Sequence, residues 1–106
     1  MDVKEIRSGE ELEATKEKGL TLVDFSAPWC APCRMQAPII RKLADQFAGR
    51  ASIAAVNIDG TREMASNLGI RSIPTLILFR NGKEVQRFVG LQSEGTLSEA
   101  LIKLLK

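Results

Sequence analysis

Cys30 and Cys33, the two cysteines of the chain, lie at the seam between a β-forming run, Leu20 to Ser26, and a helical pattern opening at about Ala31. A strand that ends where a helix begins is the joint of a βα unit, and strand–helix alternation is the pattern of an α/β fold. The same alternation runs through the rest of the chain. Val3 to Ile6 reads as a weak first strand. Ser8 then suits an N-cap, Glu11 completes a capping box, and Gly19 ends that helix as a C′ residue. In the helix after the seam, Met35, Ile39, Leu43 and Phe47 recur every four residues until about Ala48. Pro38 lies inside it and is expected to kink it.

Ala51 to Ile58 reads as a further buried strand, broken by Asp59-Gly60 and followed by a short helix from Thr61 to Leu68. Ile73 to Phe79 is strongly β in character, and Asn81-Gly82 joins it to Lys83–Val89 as a hairpin. Ser93 can cap a last helix with Leu97, Leu101 and Leu104 or Leu105 on one face. The order β-α-β-α-β-α-β-β-α predicts a central mixed five-stranded sheet flanked by four helices, in a single domain of residues 1–106.

Composition narrows the partners. A net charge of +2, from 15 basic and 13 acidic residues mixed along the chain, argues against nucleic acid or a membrane surface. The opening residues M-D-V-K-E-I-R-S-G-E-E hold no apolar run suited to a signal peptide, and no stretch reaches membrane-spanning length. The expected compartment is therefore the cytoplasm, where thiols are kept reduced and a Cys-x-x-Cys is more often catalytic or metal-binding than bracing.

Three roles compete for the cysteine pair. A structural zinc site needs four ligands, and this chain offers two cysteines and no histidine. A bracing disulfide across so short a loop removes little entropy from the unfolded chain. A redox couple explains the placement best. At the seam, Cys30 falls near the helix N-cap, where unpaired N–H groups and the helix dipole favour a thiolate. Cys33 lies one turn further on the same side, close enough to bond to it, and Pro32 suits a first turn that needs no N–H there. Trp29 can shield one side of the sulfur.

The segment V-D-F-S-A-P-W-C-A-P-C-R-M-Q-A-P resembles the active-site segment of the thioredoxin family. Ile73-Pro74-Thr75, the Asn81-Gly82 turn and Phe88-Val89-Gly90 match further family motifs, so the resemblance spans about Val3 to Leu105. It implies a protein-disulfide reductase without a bound cofactor or metal, acting as a monomer on disulfide-containing proteins. Cys30 would attack the target disulfide and Cys33 would resolve the mixed disulfide, leaving Cys30–Cys33 oxidised. An NADPH- or ferredoxin-linked thioredoxin reductase would restore the dithiol.

The resemblance also assigns roles to residues with ordinary readings of their own. An aspartate within L-V-D-F can be a solvated residue at a sheet edge; with both sheet faces covered, its burial raises its pKa. The resemblance makes Asp24 the group that takes the proton from Cys33. Pro74 could be an ordinary trans proline opening a strand; in the family, the Ile73–Pro74 bond is cis and faces the cysteines. Ile73 and Val89 could be plain strand core. By resemblance they join Trp29, Ala31, Pro32, Pro74 and Gly90 in a shallow docking surface.

The sequence departs from the common family pattern at three points. Ala31 replaces the glycine between the cysteines, Ser26 stands where a tryptophan is common, and Ala55 where a lysine is common. Losing that lysine is expected to raise the pKa of Asp24 further. Two other functions share the fold: a thiol oxidase or isomerase, whose relatives usually carry histidine between the cysteines, and a non-catalytic binding adaptor.

Overall fold

The computed structural model describes residues 3–106; the first two positions of the N-terminal run considered above lie outside the described residues. Strands β1 (Lys4–Ile6), β2 (Leu20–Ser26), β3 (Ser52–Asn57), β4 (Thr75–Arg80) and β5 (Lys83–Val89) alternate with helices α1 (Gly9–Lys16), α2 (Ala31–Gln46), α3 (Arg62–Asn67) and α4 (Glu94–Leu105). The strands form one sheet in the order β1-β3-β2-β4-β5. β1 and β2 run parallel to β3, β4 runs antiparallel to β2, and β5 antiparallel to β4. This is the expected mixed sheet, and the element order matches.

Period-two alternation divides the core between the sheet faces. Leu20, Leu22, Leu76 and Leu78 turn to one side and pack with Ile40, Leu43 and Phe47 of the α2 segment and with Leu97 and Leu101 of α4. Val23, Phe25, Ile77 and Phe79 turn to the other side, against Leu12, Met64 and Leu68. Burying side chains of this size contributes about 1.5–3 kcal/mol each, so β2 and β4, apolar on both faces, anchor the sheet. On the last helix Leu104 packs against this core, while Leu105 stays exposed.

Several boundaries differ from the sequence reading for local reasons. α1 ends at Lys16 with Glu17 as its C-cap, so Gly19, at φ 66°, forms the turn into β2 and is not the C′ residue. Ser8 caps α1 by accepting from the Glu11 N–H at 3.1 Å, but the Glu11 carboxylate accepts from the Arg7 N–H, one residue before the expected position. α2 stops at Gln46, two residues short, and a turn follows from Phe47. Ile58–Gly60 winds into a short 3-10 turn before α3. β4 begins at Thr75, leaving Ile73 and Pro74 outside the strand.

At the hairpin, Asn81 and Gly82 take φ values of 50° and 89°, the left-handed pair that matches strand twist. Asn81 also ties the hairpin to the turn before β2. Its Oδ1 accepts from the Gly19 N–H at 2.9 Å, and its N–H donates to the Gly19 carbonyl at 2.9 Å. Asn81→Ala loses the side-chain bond and puts a less tolerant residue at positive φ, whereas Asn81→Gly loses only the bond. Urea unfolding is expected to show a loss of about 1–2 kcal/mol for the alanine variant and about half that for glycine.

Candidate active site

Cys30 is the N-cap of α2, with extended backbone at φ −91° and ψ 115°. Its sulfur accepts the otherwise orphaned N–H of Cys33 at 3.3 Å, as a side-chain oxygen does at an ordinary N-cap. The two sulfurs are joined in a disulfide, with a Cα–Cα separation of 5.2 Å. Both cysteines are nearly buried, at 6% and 4% exposure, so only an edge of the pair is open to attack. Ala27, Ile58 and Ile73 pack around them. Among the described residues no group of three or more His, Cys, Asp or Glu side chains could hold a metal ion.

The remaining predicted residues fall in two sets. Around the disulfide, the Cys30 sulfur lies 3.8 Å from the Ile73 carbonyl oxygen, which a Cys30 thiol could reach as a donor. The Ile73–Pro74 peptide is cis, as expected. The Pro74 carbonyl accepts from the Gly90 N–H at 2.8 Å, and Val89 pairs with Thr75, which joins the two loops beside the cysteines. Ala31 and Pro32 are exposed on the first turn of α2, and Val89 is 61% exposed. Pro74 is buried and Ile73 half-buried.

Trp29 projects outward at 66% exposure, its indole N–H donating to the Asp59 carboxylate at 3.1–3.2 Å. Asp59 was legible in the sequence only as half of a strand-breaking Asp-Gly. Gln36 of α2 and Gln92 of the loop after β5, which bond to each other beside the site, carried no signal in the sequence.

Asp24 forms the second set. It lies on the α2 side of β2, 3% exposed, between Ala55 of β3 and Leu76 of β4. Among the described residues its Oδ1 has no hydrogen-bond partner. Burial pushes its pKa from 3.8 up to about 7. Asp24 lines a cleft of about 450 Å³ with Ser26, Ala37, Ile40, Arg41 and Ala55. Two of the departures noted in the sequence, Ser26 and Ala55, therefore meet beside this carboxyl group. Ala37 follows Cys33 by one turn of α2, so helix and carboxyl share that side of the sheet.

A disulfide formed at a helix N-cap, in a mixed sheet of this order, defines a thiol–disulfide oxidoreductase site. The thioredoxin family profile matches residues 6–103. Thioredoxin 1 of a Nostoc species is 49% identical over 84 residues, covering 79% of this chain and 78% of that protein. Thioredoxin 1 of Synechococcus elongatus is 46% identical over the same shares of each chain. A solved mutant thioredoxin from Halobacterium salinarum superposes with a TM-score of 0.92 at 33% identity, covering 99% of this chain and 92% of that one. The chain belongs to the thioredoxin family. It is a protein-disulfide oxidoreductase acting on disulfide-containing targets. Among the described residues no helix is long and apolar enough to cross a membrane.

Asp24 gives folding stability a defined pH dependence. With its folded pKa raised to about 7 from 3.8, the native state holds a proton that the unfolded state releases between those values. The unfolded chain then binds fewer protons, so stability falls as pH rises through that window and levels off above it. About three pH units at about 1.4 kcal/mol each put the loss near 4 kcal/mol. Asp24→Asn, which cannot ionise, is expected to match the parent near pH 4 and exceed it by a few kcal/mol near pH 8. Urea unfolding of the oxidised forms at both pH values measures the difference.

Proposed function

We propose that this protein is a reductase of protein disulfides in which Cys30 is the attacking thiol and Cys33 the resolving one. The observation that carries this reading is the Cys33 N–H directed at the Cys30 sulfur at the start of α2. That bond and the helix N-terminus favour negative charge on Cys30, which is the form that attacks. Cys33 lies within the first turn, and its N–H is given to the Cys30 sulfur.

The exchange balances as follows. Cys30 thiolate attacks one sulfur of the target disulfide, forming a mixed disulfide and expelling the other target sulfur as a thiolate that takes up a proton. Cys33 then loses its proton to Asp24 and attacks the Cys30 sulfur, expelling the second target thiolate. Two electrons pass to the target, and the Cys30–Cys33 disulfide remains. A carboxyl group with its pKa at about 7 is matched to proton transfer at neutral pH.

Trp29, Ala31, Pro32, Ile73, Pro74, Val89 and Gly90 form the docking surface in this reading. The exposure of Trp29 and Val89 supports it, since large apolar side chains left open beside a reactive group mark a contact face. The Ile73 carbonyl next to Cys30 offers a backbone acceptor to an extended target segment. One domain of residues 1–106 performs the whole reaction as a monomer in the cytoplasm. A thioredoxin reductase, NADPH- or ferredoxin-linked, restores the dithiol.

The test couples the protein to an insulin disulfide substrate and an NADPH-linked thioredoxin reductase, with NADPH oxidation followed. Cys30→Ser is expected to abolish turnover. Cys33→Ser should stop at a covalent adduct with the target, visible on a non-reducing gel. Turnover by Cys30→Ser, or adducts formed by Cys30→Ser rather than Cys33→Ser, would reverse the assignment. No turnover by the parent, with target binding unchanged when both cysteines are replaced by serine, would instead make the chain an adaptor.

A further inference from the structure

Gln36 has no exposed surface, and among the described residues it is the one buried side-chain amide. Glutamine is seldom fully buried unless its amide is satisfied. Three positions after Cys33, it stands one turn along α2 on the same side. Both ends of its amide engage a single backbone residue. The Gln92 N–H donates to Gln36 Oε1 at 2.7 Å, and Gln36 Nε2 donates to the Gln92 carbonyl at 3.0 Å. The pair has the form of one rung of an antiparallel ladder, with a side chain replacing one strand.

Gln92 closes the loop that leaves β5. Its side-chain amide donates back to the carbonyls of Gly90 at 3.2 Å and Val89 at 3.4 Å. Gly90, at φ 92°, donates its N–H to the Pro74 carbonyl. The exposed side chains of Val89 and Leu91, 61% and 41% open, hang on this loop beside the disulfide. Two anchors therefore hold the loop: the Pro74 carbonyl on one side and the Gln36 amide on the other. The second fixes it to the helix that carries Cys33.

We propose that Gln36 is a positioning residue that clamps the 89–92 loop to the cysteine helix and so sets the affinity for protein targets. The proposal rests on the reading of Val89 and Gly90 as docking surface. A clamp matters here because the two Gln92 groups, deprived of Gln36, have to turn toward water to find partners. Turning them moves the loop, and with it Val89 and Leu91, relative to the sulfur. Small disulfides that touch only the cysteines are indifferent to that movement.

Gln36→Leu keeps the side chain buried and near its size but offers Gln92 neither donor nor acceptor. KM for insulin is expected to rise about tenfold with kcat little changed, the signature of lost binding rather than lost chemistry. The rate with oxidised glutathione should stay within about twofold, and hydrogen exchange at the Gln92 amide should accelerate by about tenfold or more. Gln36→Glu, which keeps an acceptor for the Gln92 N–H, should give a smaller rise in KM. A lower melting temperature with KM unchanged, or with insulin and glutathione rates falling together, would make Gln36 a structural anchor of α4 and overturn the proposal.

Val89→Asp separates the two readings. If it leaves KM for insulin unchanged, the docking surface is wrong; if it raises KM while Gln36→Leu does not, the clamp alone is wrong. Should Gln36→Leu fail to fold, Gln36→Glu carries the same comparison. Exchange in the parent protein decides independently of both variants, because an unprotected Gln92 amide is incompatible with the clamp.

Discussion

Burial of β2 on both faces is the constraint on which the rest of the structure depends. Leu20 through Phe25 are all buried, held between parallel β3 and antiparallel β4. A slip of one residue would exchange Leu22 and Asp24 with Val23 and Phe25 across the sheet, so two packed faces and two neighbours fix one register. That register also builds the site. Phe25 pairs with Thr75, which brings the end of β2 level with the start of β4. The chain continues past one end to Cys30 and arrives at the other from Ile73, and the sulfur meets the Ile73 carbonyl. Chemistry at the site is thus a consequence of strand pairing, with few contacts dedicated to it.

Against this rigid frame, Asp24 is an expensive residue. It occupies a position whose neighbours on the same strand, Leu22 and Phe25, have no exposed surface. A carboxyl group there lowers stability whenever it ionises, a cost that the proposed role in proton transfer would account for. The small residues beside it give the cost its particular form here. Ala55 is its partner across the ladder and Ser26 lies two residues beyond it on the same face; both are small and uncharged and line the cleft beside it. Burial is then the cause of its raised pKa.

Much of this was legible in the sequence because periodicity and punctuation report burial and backbone conformation directly. L-T-L-V-D-F, an apolar run with one charge, marked a strong strand, but whether Asp24 was solvated or buried stayed open until the strand proved central. Asn81-Gly82 and Ser93 signalled a turn and a cap through local backbone chemistry, and both stand where expected. Misreadings fell where local chemistry allows more than one solution. Gly19 has the residue type of a helix C′ but serves the turn beyond it, and Ile73-Pro74, β-rich in type, lies outside β4. The Trp29–Asp59 bond spans 30 residues and the Gln36–Gln92 pair 56, and no local pattern records such distant partners.

At the divergent positions, the contacts to the sulfur are distinct from the proposed docking surface. Cys30 draws its hydrogen bond from backbone, the Cys33 N–H, so the exposed methyl of Ala31 leaves that contact unchanged. On the proposed docking surface, the same methyl faces the target. Gln36 and Gln92 likewise leave the sulfurs alone and act on the loop beside them. Backbone geometry, fixed by the fold, supports the dithiol chemistry. In the proposed mechanism, side chains one turn or one loop away, such as Ala31 and Gln36, act on the docking of a target and leave the sulfur contacts to the backbone.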